Sequence, residues 1–297
     1  MKSIPFFWCF FLALTVNVSF AQENQVSRPW FEQFKFTVAL VEVAAIKGPA
    51  DAPDSVILTP WGTAFWVKDS ATESAVLVSN KHIFNGFSQI VLSQYSTEGY
   101  TSAQIIITLK DKNGNRLWVE HPDSMTDIAA IKVKYFERIG ELRAEIIGIP
   151  INLFAKSEEL SEGDDVFILG FPMGIRTTAK SFPMIRTGVI SLKPTEDFLV
   201  VQNDRIIGRN IYLVDANILG GNSGSPVFLK PTLSRPFISP NAIGSTQPKL
   251  IGIVSSYVTD WLPLVKAQST IYAQGNSGIT IVHRTEDILK VVIDALK

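Results

Sequence analysis

Three side chains of this sequence have the types that nucleophilic catalysis requires, and the first is a serine in an unusual string. Ser223 lies within GGNSGSP, residues 220–226, between two apolar runs. Such a density of small residues predicts a tight backbone that exposes the serine hydroxyl and directs nearby N–H groups towards one point, where they could bind an oxyanion. Taken alone, the string is equally typical of a polar turn.

A histidine and an aspartate supply the other two groups. His82 comes shortly after the apolar run 75–79, so we expect an accessible imidazole just beyond the end of a buried strand. Asp127 opens the apolar run 128–133, where a half-buried carboxylate needs a partner such as an imidazole N–H. Asp123 is the competing acid, and Asp127 is preferred because it directly abuts the run. A nucleophile, a base and an orienting acid of these types form a serine triad.

The elements that would carry these residues are short apolar runs separated by Gly, Pro, Asn and Asp, in two groups of six or seven. The pattern is typical of β-barrels or sandwiches, and its division predicts two similar antiparallel barrels. The first group comprises residues 37–46, 63–67, 75–79, 89–93, 104–109, 116–120 and 128–133. The second comprises residues 165–169, 185–191, 198–202, 211–215, 225–229, 250–255 and 279–282. Residues 259–278 are interpreted as an irregular stretch.

A helical period is clear only near residue 297. Thr285 is predicted as the N-cap, followed by two acids in the first turn, where the helix dipole favours negative charge. One apolar stripe contains Ile288, Val291, Val292 and Leu296. The predicted fold class is all-β, with two antiparallel β-barrels and a C-terminal helix. The predicted units are a signal peptide (1–21), an N-terminal arm (22–34), a first barrel (35–150), a second barrel (151–284) and the helix (285–297).

The first residues are typical of a secretory signal peptide. Lys2 precedes an apolar stretch at 4–18, and the small residues Ser19 and Ala21 match a cleavage site after Ala21. The alternative is a membrane anchor, but the stretch is shorter than the about 20 apolar residues that a span needs. We therefore expect a secreted or periplasmic protein without membrane association after cleavage.

Composition excludes several classes of function. Residues 22–297 contain no cysteine, because the only one is Cys9, so disulfides, thiolate catalysis and Cys–zinc sites are excluded there. The formal net charge of -1 argues against nucleic acid as a partner, since phosphates are normally met by a basic patch. His121, in a turn, and His283, at the end of the last predicted strand, are interpreted as structural, and no metal site is predicted.

Several short strings follow one another in a characteristic order. They are GTAFWV (62–67), SNKHI (79–83), DIA (127–129), EGD (162–164), GFPMG (170–174), TGVIS (187–191), DANI (215–218), GNSG (221–224) and GIVS (252–255). On these strings the sequence resembles the chymotrypsin-fold serine proteases, most closely the bacterial trypsin-like branch that includes the HtrA and Deg proteases. The resemblance covers about residues 35–290, and no PDZ domain is expected after residue 297.

The resemblance implies a serine endopeptidase that needs no cofactor and acts on polypeptides. Ser223 would be the nucleophile, His82 the base and Asp127 the orienting acid, with an oxyanion hole formed by the N–H groups of Gly221 and Ser223. The residues implied for the substrate pocket are Asn217, Ser255, Ser256, Tyr257 and Gly278. Because the base must be neutral, activity should rise with pH through about 6–7, where an imidazole ordinarily loses its proton.

Two departures from the family pattern leave other functions open. Ser225 and Ala64 stand where the family usually has glycine, and the Ser225 side chain could crowd the oxyanion loop. The alternatives are a catalytically silent pseudoprotease that binds proteins, an esterase with the same triad, and an exported β-sandwich binding protein. The uncharged Asn217 argues against a strict preference for Lys or Arg, and Tyr257 could favour small apolar residues.

Overall fold

The computed structural model describes residues 30–45, 57–69, 72, 74–95, 102–133, 137–139, 146–177, 181–194, 196, 199–202, 205–231, 247–266 and 269–297. The predicted signal peptide and most of the predicted N-terminal arm lie outside these residues. Among the described residues, no helix has both the length and the apolar character that crossing a membrane requires.

The first unit is a nine-stranded sheet. Its elements are α1 (Trp30–Phe34), β1 (Val38–Ala45), β2 (Ile57–Asp69), β3 (Ser74–Ser79), α2 (Lys81–Phe84), β4 (Gln89–Tyr95), β5 (Ser102–Thr108), β6 (Val119–Glu120), β7 (Ala129–Lys132), β8 (Glu137–Ile139) and β9 (Ile149–Pro150). The strand order is β6-β7-β3-β2-β1-β4-β5-β8, with β9 parallel to β2. A hairpin in which Leu117 N–H donates to Leu109 O joins β5 to β6, so the sheet curls back upon itself. Its turn contains Gly114 at φ +83°, a left-handed conformation that glycine adopts without strain.

The second unit is a closed six-stranded barrel with the order β10-β11-β14-β17-β16-β15. Its elements are β10 (Asp165–Gly170), β11 (Met184–Leu192), β12 (Leu199–Gln202), β13 (Arg205–Arg209), β14 (Tyr212–Asp215), β15 (Pro226–Leu229), β16 (Lys249–Lys266), β17 (Ser269–Arg284) and α3 (Thr285–Leu296). Strands β12 and β13 form a separate two-stranded ribbon. The predicted fold class, an all-β double barrel with a C-terminal helix, is confirmed.

The interpretation of residues 259–278 as irregular is wrong. Strands β16 and β17 continue past the barrel as a long hairpin, paired from Thr259 with Asn276 to Lys266 with Ser269. Ladder hydrogen bonds join main-chain groups, so they form without the polar and apolar alternation that sequence patterns detect. The short strands β8 and β13 were missed for the same reason.

A shared core joins the two units and helix α3. Phe167 and Phe228 of the second barrel stack with ring centroids 4.9 Å apart, in a buried cluster that also contains Phe65 and Val78 of the first. Helix α3 adds its stripe to this cluster through Ile288, Val291 and Val292. Thr285 is the first helical residue, and the N-cap is Arg284, whose backbone is extended. The Thr285 hydroxyl instead donates to Ala155 O at 2.7 Å. Helix α3 therefore packs against both units within this shared core.

Candidate active site

The predicted base and acid meet directly. His82 lies in the one-turn helix α2 that follows β3, and its Nδ1 is 2.6 Å from Asp127 Oδ2. The main-chain N–H of His82 also donates to Asp127 Oδ1 at 3.3 Å. A carboxylate that binds Nδ1–H leaves Nε2 with its lone pair, so the half-exposed imidazole can accept a proton at that atom.

The Asp127 carboxylate is the ionised partner of this pair. Burial raises its pKa, but the hydrogen bond and electrostatic attraction of His82 outweigh burial, so the pKa lies below its ordinary value of 3.8. Ser255 also approaches, with Oγ 3.4 Å from Asp127 Oδ2. The competing Asp123 instead accepts the N–H of Met125 within its own turn.

The loop before Asp127 is held by side chains from other elements. Lys81 Nζ donates to the carbonyl oxygens of His121 and Asp123, at 3.2 and 3.1 Å. The buried His121 ring accepts the Asp123 N–H at Nδ1, which places its proton on Nε2, 3.3 Å from Asp287 Oδ1 in helix α3. These contacts give an irregular loop a defined shape next to the catalytic candidates.

His283, which was interpreted from the sequence as structural, lies next to Asp127 in the fold. Its Nε2 accepts the main-chain N–H of Asp127 at 3.0 Å, from the last strand of the second barrel. The ring is 2% exposed, and burial lowers its pKa to about 4 although Asp127 opposes that change. The available signal was its place at the end of the apolar run 279–282, where a buried imidazole needs a hydrogen-bond partner.

Ser223 reaches the same cluster through Ser255. Its Oγ donates to Ser255 O at 3.2 Å, and its carbonyl oxygen accepts the Thr63 N–H at 2.9 Å across the two units. Among the hydrogen bonds of the described residues, none joins Ser223 Oγ to His82. The hydroxyl is thus linked to the His82–Asp127 pair through Ser255 and is turned towards a main-chain carbonyl.

Glycines shape the loop around Ser223. Gly221 has φ +91°, and a Cβ there would lie 2.4 Å from Phe171 O, so a larger residue would displace the loop. Gly224 has φ +85°, and its Cβ would lie 1.9 Å from Thr63 O. Within the described part of the chain, the N–H groups of Gly221 and Ser223 donate no hydrogen bond, so both remain available to an external acceptor.

Comparison with known proteins identifies the family. A model described as a trypsin-like peptidase domain matches residues 62–231, which is more than half of the chain. The chain belongs to the trypsin-like peptidase domain family. No curated protein matches it.

Solved structures resemble this trypsin-like domain at low identity. The HtrA-type protease AlgW, in a variant solved with a tripeptide, is 18% identical with a TM-score of 0.47, over 90% of this chain and 62% of that chain. The apo MamO protease domain from Magnetospirillum magneticum is 13% identical with a TM-score of 0.45, over 88% and 97%. Human heparin binding protein is 12% identical with a TM-score of 0.47, over 88% and 91%. The chain thus spans less than two thirds of the HtrA-type chain.

Asn217, one of the residues predicted for the substrate pocket, is surrounded by polar groups. Ala216 N–H donates to Gly278 O at 2.9 Å, which brings the neighbouring Asn217 close to Gly278. Asn276 Nδ2 lies 3.4 Å from Asn217 Oδ1, and the guanidinium of Arg186 donates to Asn217 O. Neither Arg186 nor Asn276 could be assigned to this place from the sequence, because both lie on strands distant from residue 217 in the chain.

The remaining predicted pocket residues differ in their surroundings. Ser255 is buried and contacts both Ser223 and Asp127, so it lies with the candidate triad as well as among the predicted pocket residues. Ser256 is exposed, and Tyr257 is half-buried against the core of the second barrel. Among the described residues, no group of three or more His, Cys, Asp or Glu side chains is arranged to hold a metal ion.

Ser225 lies in the same loop as Ser223 but is buried. Its side chain is buried, and a Cβ added at Gly170 would lie 2.0 Å from its Oγ. The space that a side chain at residue 170 would occupy therefore holds the Ser225 hydroxyl. The Ser225 side chain therefore points towards Gly170 in β10, and the absence of a side chain at residue 170 leaves room for it.

Proposed function

We propose that this trypsin-like domain is an exported serine endopeptidase that hydrolyses polypeptides through an acyl-enzyme on Ser223. The observation that carries the proposal is the 2.6 Å hydrogen bond between His82 Nδ1 and Asp127 Oδ2. It leaves Nε2 of a half-exposed imidazole free to act as a base beside a glycine-shaped serine loop. Export, to the periplasm or the medium, rests on the character of residues 1–21 alone.

The reaction begins with a rotation of the nucleophile. Ser223 Oγ leaves Ser255 O and turns about its Cα–Cβ bond towards His82 Nε2, a change between staggered rotamers. Such catalytic hydrogen bonds commonly tighten when substrate binds. Oγ then attacks the peptide carbonyl carbon while its proton passes to Nε2, and Asp127 stabilises the resulting imidazolium through Nδ1–H.

The oxyanion and the leaving group are handled by separate groups. The carbonyl oxygen becomes negative and accepts hydrogen bonds from the N–H groups of Gly221 and Ser223. When the C–N bond breaks, the Nε2 proton passes to the departing amine, which leaves the acyl group on Ser223. Water then attacks the ester with His82 again as the base, which releases the acid and restores the hydroxyl.

The polar, uncharged side chain of Asn217 supports a pocket without a strict preference for Lys or Arg. This part of the proposal is tested by the cleavage profile of a peptide library. A profile dominated by Arg or Lys at the residue before the cleaved bond would contradict it.

The full-length chain is tested with a fluorophosphonate, a probe that phosphonylates activated serines. We expect label on Ser223 that disappears in Ser223→Ala and falls at least about 100-fold in His82→Ala, since base catalysis contributes about 10²–10⁴. Ser225→Ala is the matched control, because this serine shares the loop but has a buried side chain facing Gly170. Hydrolysis of fluorescein-labelled casein, and not only of nitrophenyl esters, separates an endopeptidase from an esterase.

A second candidate is a pseudoprotease that binds proteins, and one observation favours it. The Ser223 hydroxyl donates to Ser255 O and not to His82. A folded wild-type protein that fails to label would make this the leading function. It would also mean that the rotation of Ser223 does not occur without a further partner.

A further inference from the structure

Every polar main-chain and carboxylate atom of Asp127 takes part in a hydrogen bond. Its N–H donates to His283 Nε2 at 3.0 Å, and its carbonyl oxygen accepts from Asn80 Nδ2 at 2.7 Å. Its carboxylate binds His82, and Ser255 Oγ lies 3.4 Å from it. Asn80 and His82 belong to the first unit, whereas Ser255 and His283 belong to the second, so Asp127 is clamped between the two.

The His283 contact requires one protonation state. An imidazole nitrogen that accepts an N–H must carry its lone pair, so the ring is neutral with its proton on Nδ1. That Nδ1 is buried and has no hydrogen-bond partner among the described residues. The ionisable groups that act on the ring are Asp127, Asp287, His121 and Lys81. Burial dominates over them and keeps the ring neutral at ordinary pH.

We propose that His283 is a positioning residue for the proposed hydrolysis: as the acceptor of the Asp127 N–H, it aligns the carboxylate with His82 Nδ1. Asp127 precedes strand β7, which begins at Ala129, so no sheet ladder fixes it. Its place depends on side-chain contacts, and a displacement of about 1 Å can cost about 100-fold in rate. His283 acts through Asp127 and does not touch the reacting atoms.

Three substitutions separate positioning from packing. His283→Gln keeps an acceptor, because Oε1 of glutamine reaches the place of Nε2. His283→Leu fills the site without an acceptor, and His283→Asn is polar but one methylene too short to reach the Asp127 N–H. The Gln and Asn variants form the matched pair, since they share an amide and differ only in reach. Their comparison remains valid if the Leu variant does not fold.

The readouts are the fluorophosphonate inactivation rate and the proton NMR signal of His82 Nδ1–H. We expect the maximal inactivation rate to fall about 10–100-fold in the Leu and Asn variants, with the half-saturating probe concentration within about twofold. We expect the Gln variant to stay within about threefold of wild type. The downfield Nδ1–H signal, which reports the His82–Asp127 hydrogen bond without any catalysis, should shift or vanish in Leu and Asn and persist in Gln.

This inference rests on the proposed function, but the two fail differently. If wild type never labels while the Nδ1–H signal still depends on an acceptor at residue 283, the endopeptidase proposal falls and the positioning role stands. If wild type labels and the Asn variant matches the Gln variant in rate and signal, the positioning role is overturned. A uniform loss in all three variants, with unfolding shown by circular dichroism, would also overturn it, because His283 would then be purely structural.

Discussion

At the scale of single residues, the loop that contains Ser223 accommodates the Ser225 side chain because Gly170 has no side chain in that space. The two residues lie on different strands of the second barrel, and a Cβ at residue 170 would be 2.0 Å from Ser225 Oγ and 2.8 Å from Asn222 Oδ1. Ser225 Oγ and Asn222 Nδ2 are also buried without a hydrogen-bond partner in the described residues. The Ser225 side chain therefore occupies space that the absence of a side chain at Gly170 leaves open.

We expect Gly170→Ala to lower the free energy of unfolding by about 1–3 kcal/mol, the usual cost of overpacking. Ser225→Gly should remove most of that clash, so the double variant should be more stable than Gly170→Ala alone. Urea denaturation of the four proteins forms a double-mutant cycle. Strictly additive effects would show that the two side chains do not compete for the same space.

His283 makes stability depend on acidity. Its pKa falls from 6.5 to about 4 on folding because burial disfavours the charged ring. The unfolded chain therefore binds this proton at a pH where the folded protein does not. The contribution of His283 to the free energy of unfolding is fully present above pH 6.5. It is lost as the pH falls towards 4, and the loss is roughly 3 kcal/mol.

We expect His283→Gln to reduce the loss of unfolding free energy between pH 6.5 and 4, because glutamine does not titrate. Urea unfolding at half-unit pH intervals measures this difference from wild type. Asp127 is present in both proteins, so its own titration, which begins to act below about pH 5, largely cancels in the comparison. Parallel pH profiles of the two proteins in this window would contradict the expectation.

At the scale of elements, an ion pair connects the loop that follows β10, next to Gly220, to the first unit. Arg176 Nη1 lies 2.7 Å from Glu42 Oε1, and Glu42 is fully buried in β1, where Ser93 Oγ also donates to its carboxylate. In the same loop, Met173 N–H donates to Gly220 O at 2.6 Å. The ion pair therefore anchors the segment against which the serine loop rests.

We expect Arg176→Met to lower the free energy of unfolding by about 2 kcal/mol, because it leaves a buried carboxylate without its counter-charge. The figure is below the usual cost for a fully buried pair since Arg176 is 31% exposed. The double variant Glu42→Gln with Arg176→Met should recover part of the loss. Chemical denaturation measures both, and an unchanged midpoint for Arg176→Met would show that the pair is solvated.

At the scale of the whole molecule, the two units share one core that also includes helix α3. Val38 and Phe65 from the first unit, Phe228 and Leu250 from the second, and Ile288 of the helix all lie in a single buried cluster. Burial of a common apolar surface couples the free energies of the two units. Neither unit can unfold without exposing the face that the other covers.

We expect a single cooperative unfolding transition. Ile288→Ala should lower the free energy of unfolding by about 2–4 kcal/mol, the range for truncation of a buried aliphatic side chain. Hydrogen exchange at strands β3 and β15 reports the two units separately, and both should lose protection together. Protection lost at one strand well before the other would show that the shared core does not couple them.

The sequence by itself determined the residues of the candidate triad, most strands and the C-terminal helix. These are local properties: a glycine string bends its own backbone, an apolar run forms its own strand, and a stripe of period 3.6 forms its own helix. Family resemblance over short strings extended this reach, because each string is contiguous in the chain. His82 and Asp127 could be paired in advance for that reason.

Tertiary structure alone decided how these residues are supported. The bond between Asp127 and His283 joins residues 156 positions apart, and the Arg176–Glu42 pair crosses between the two units. The orientation of the Ser223 hydroxyl towards Ser255 and the long β16–β17 hairpin were equally hidden. Each depends on how distant segments pack or on main-chain hydrogen bonds, and local side-chain patterns carry no record of either.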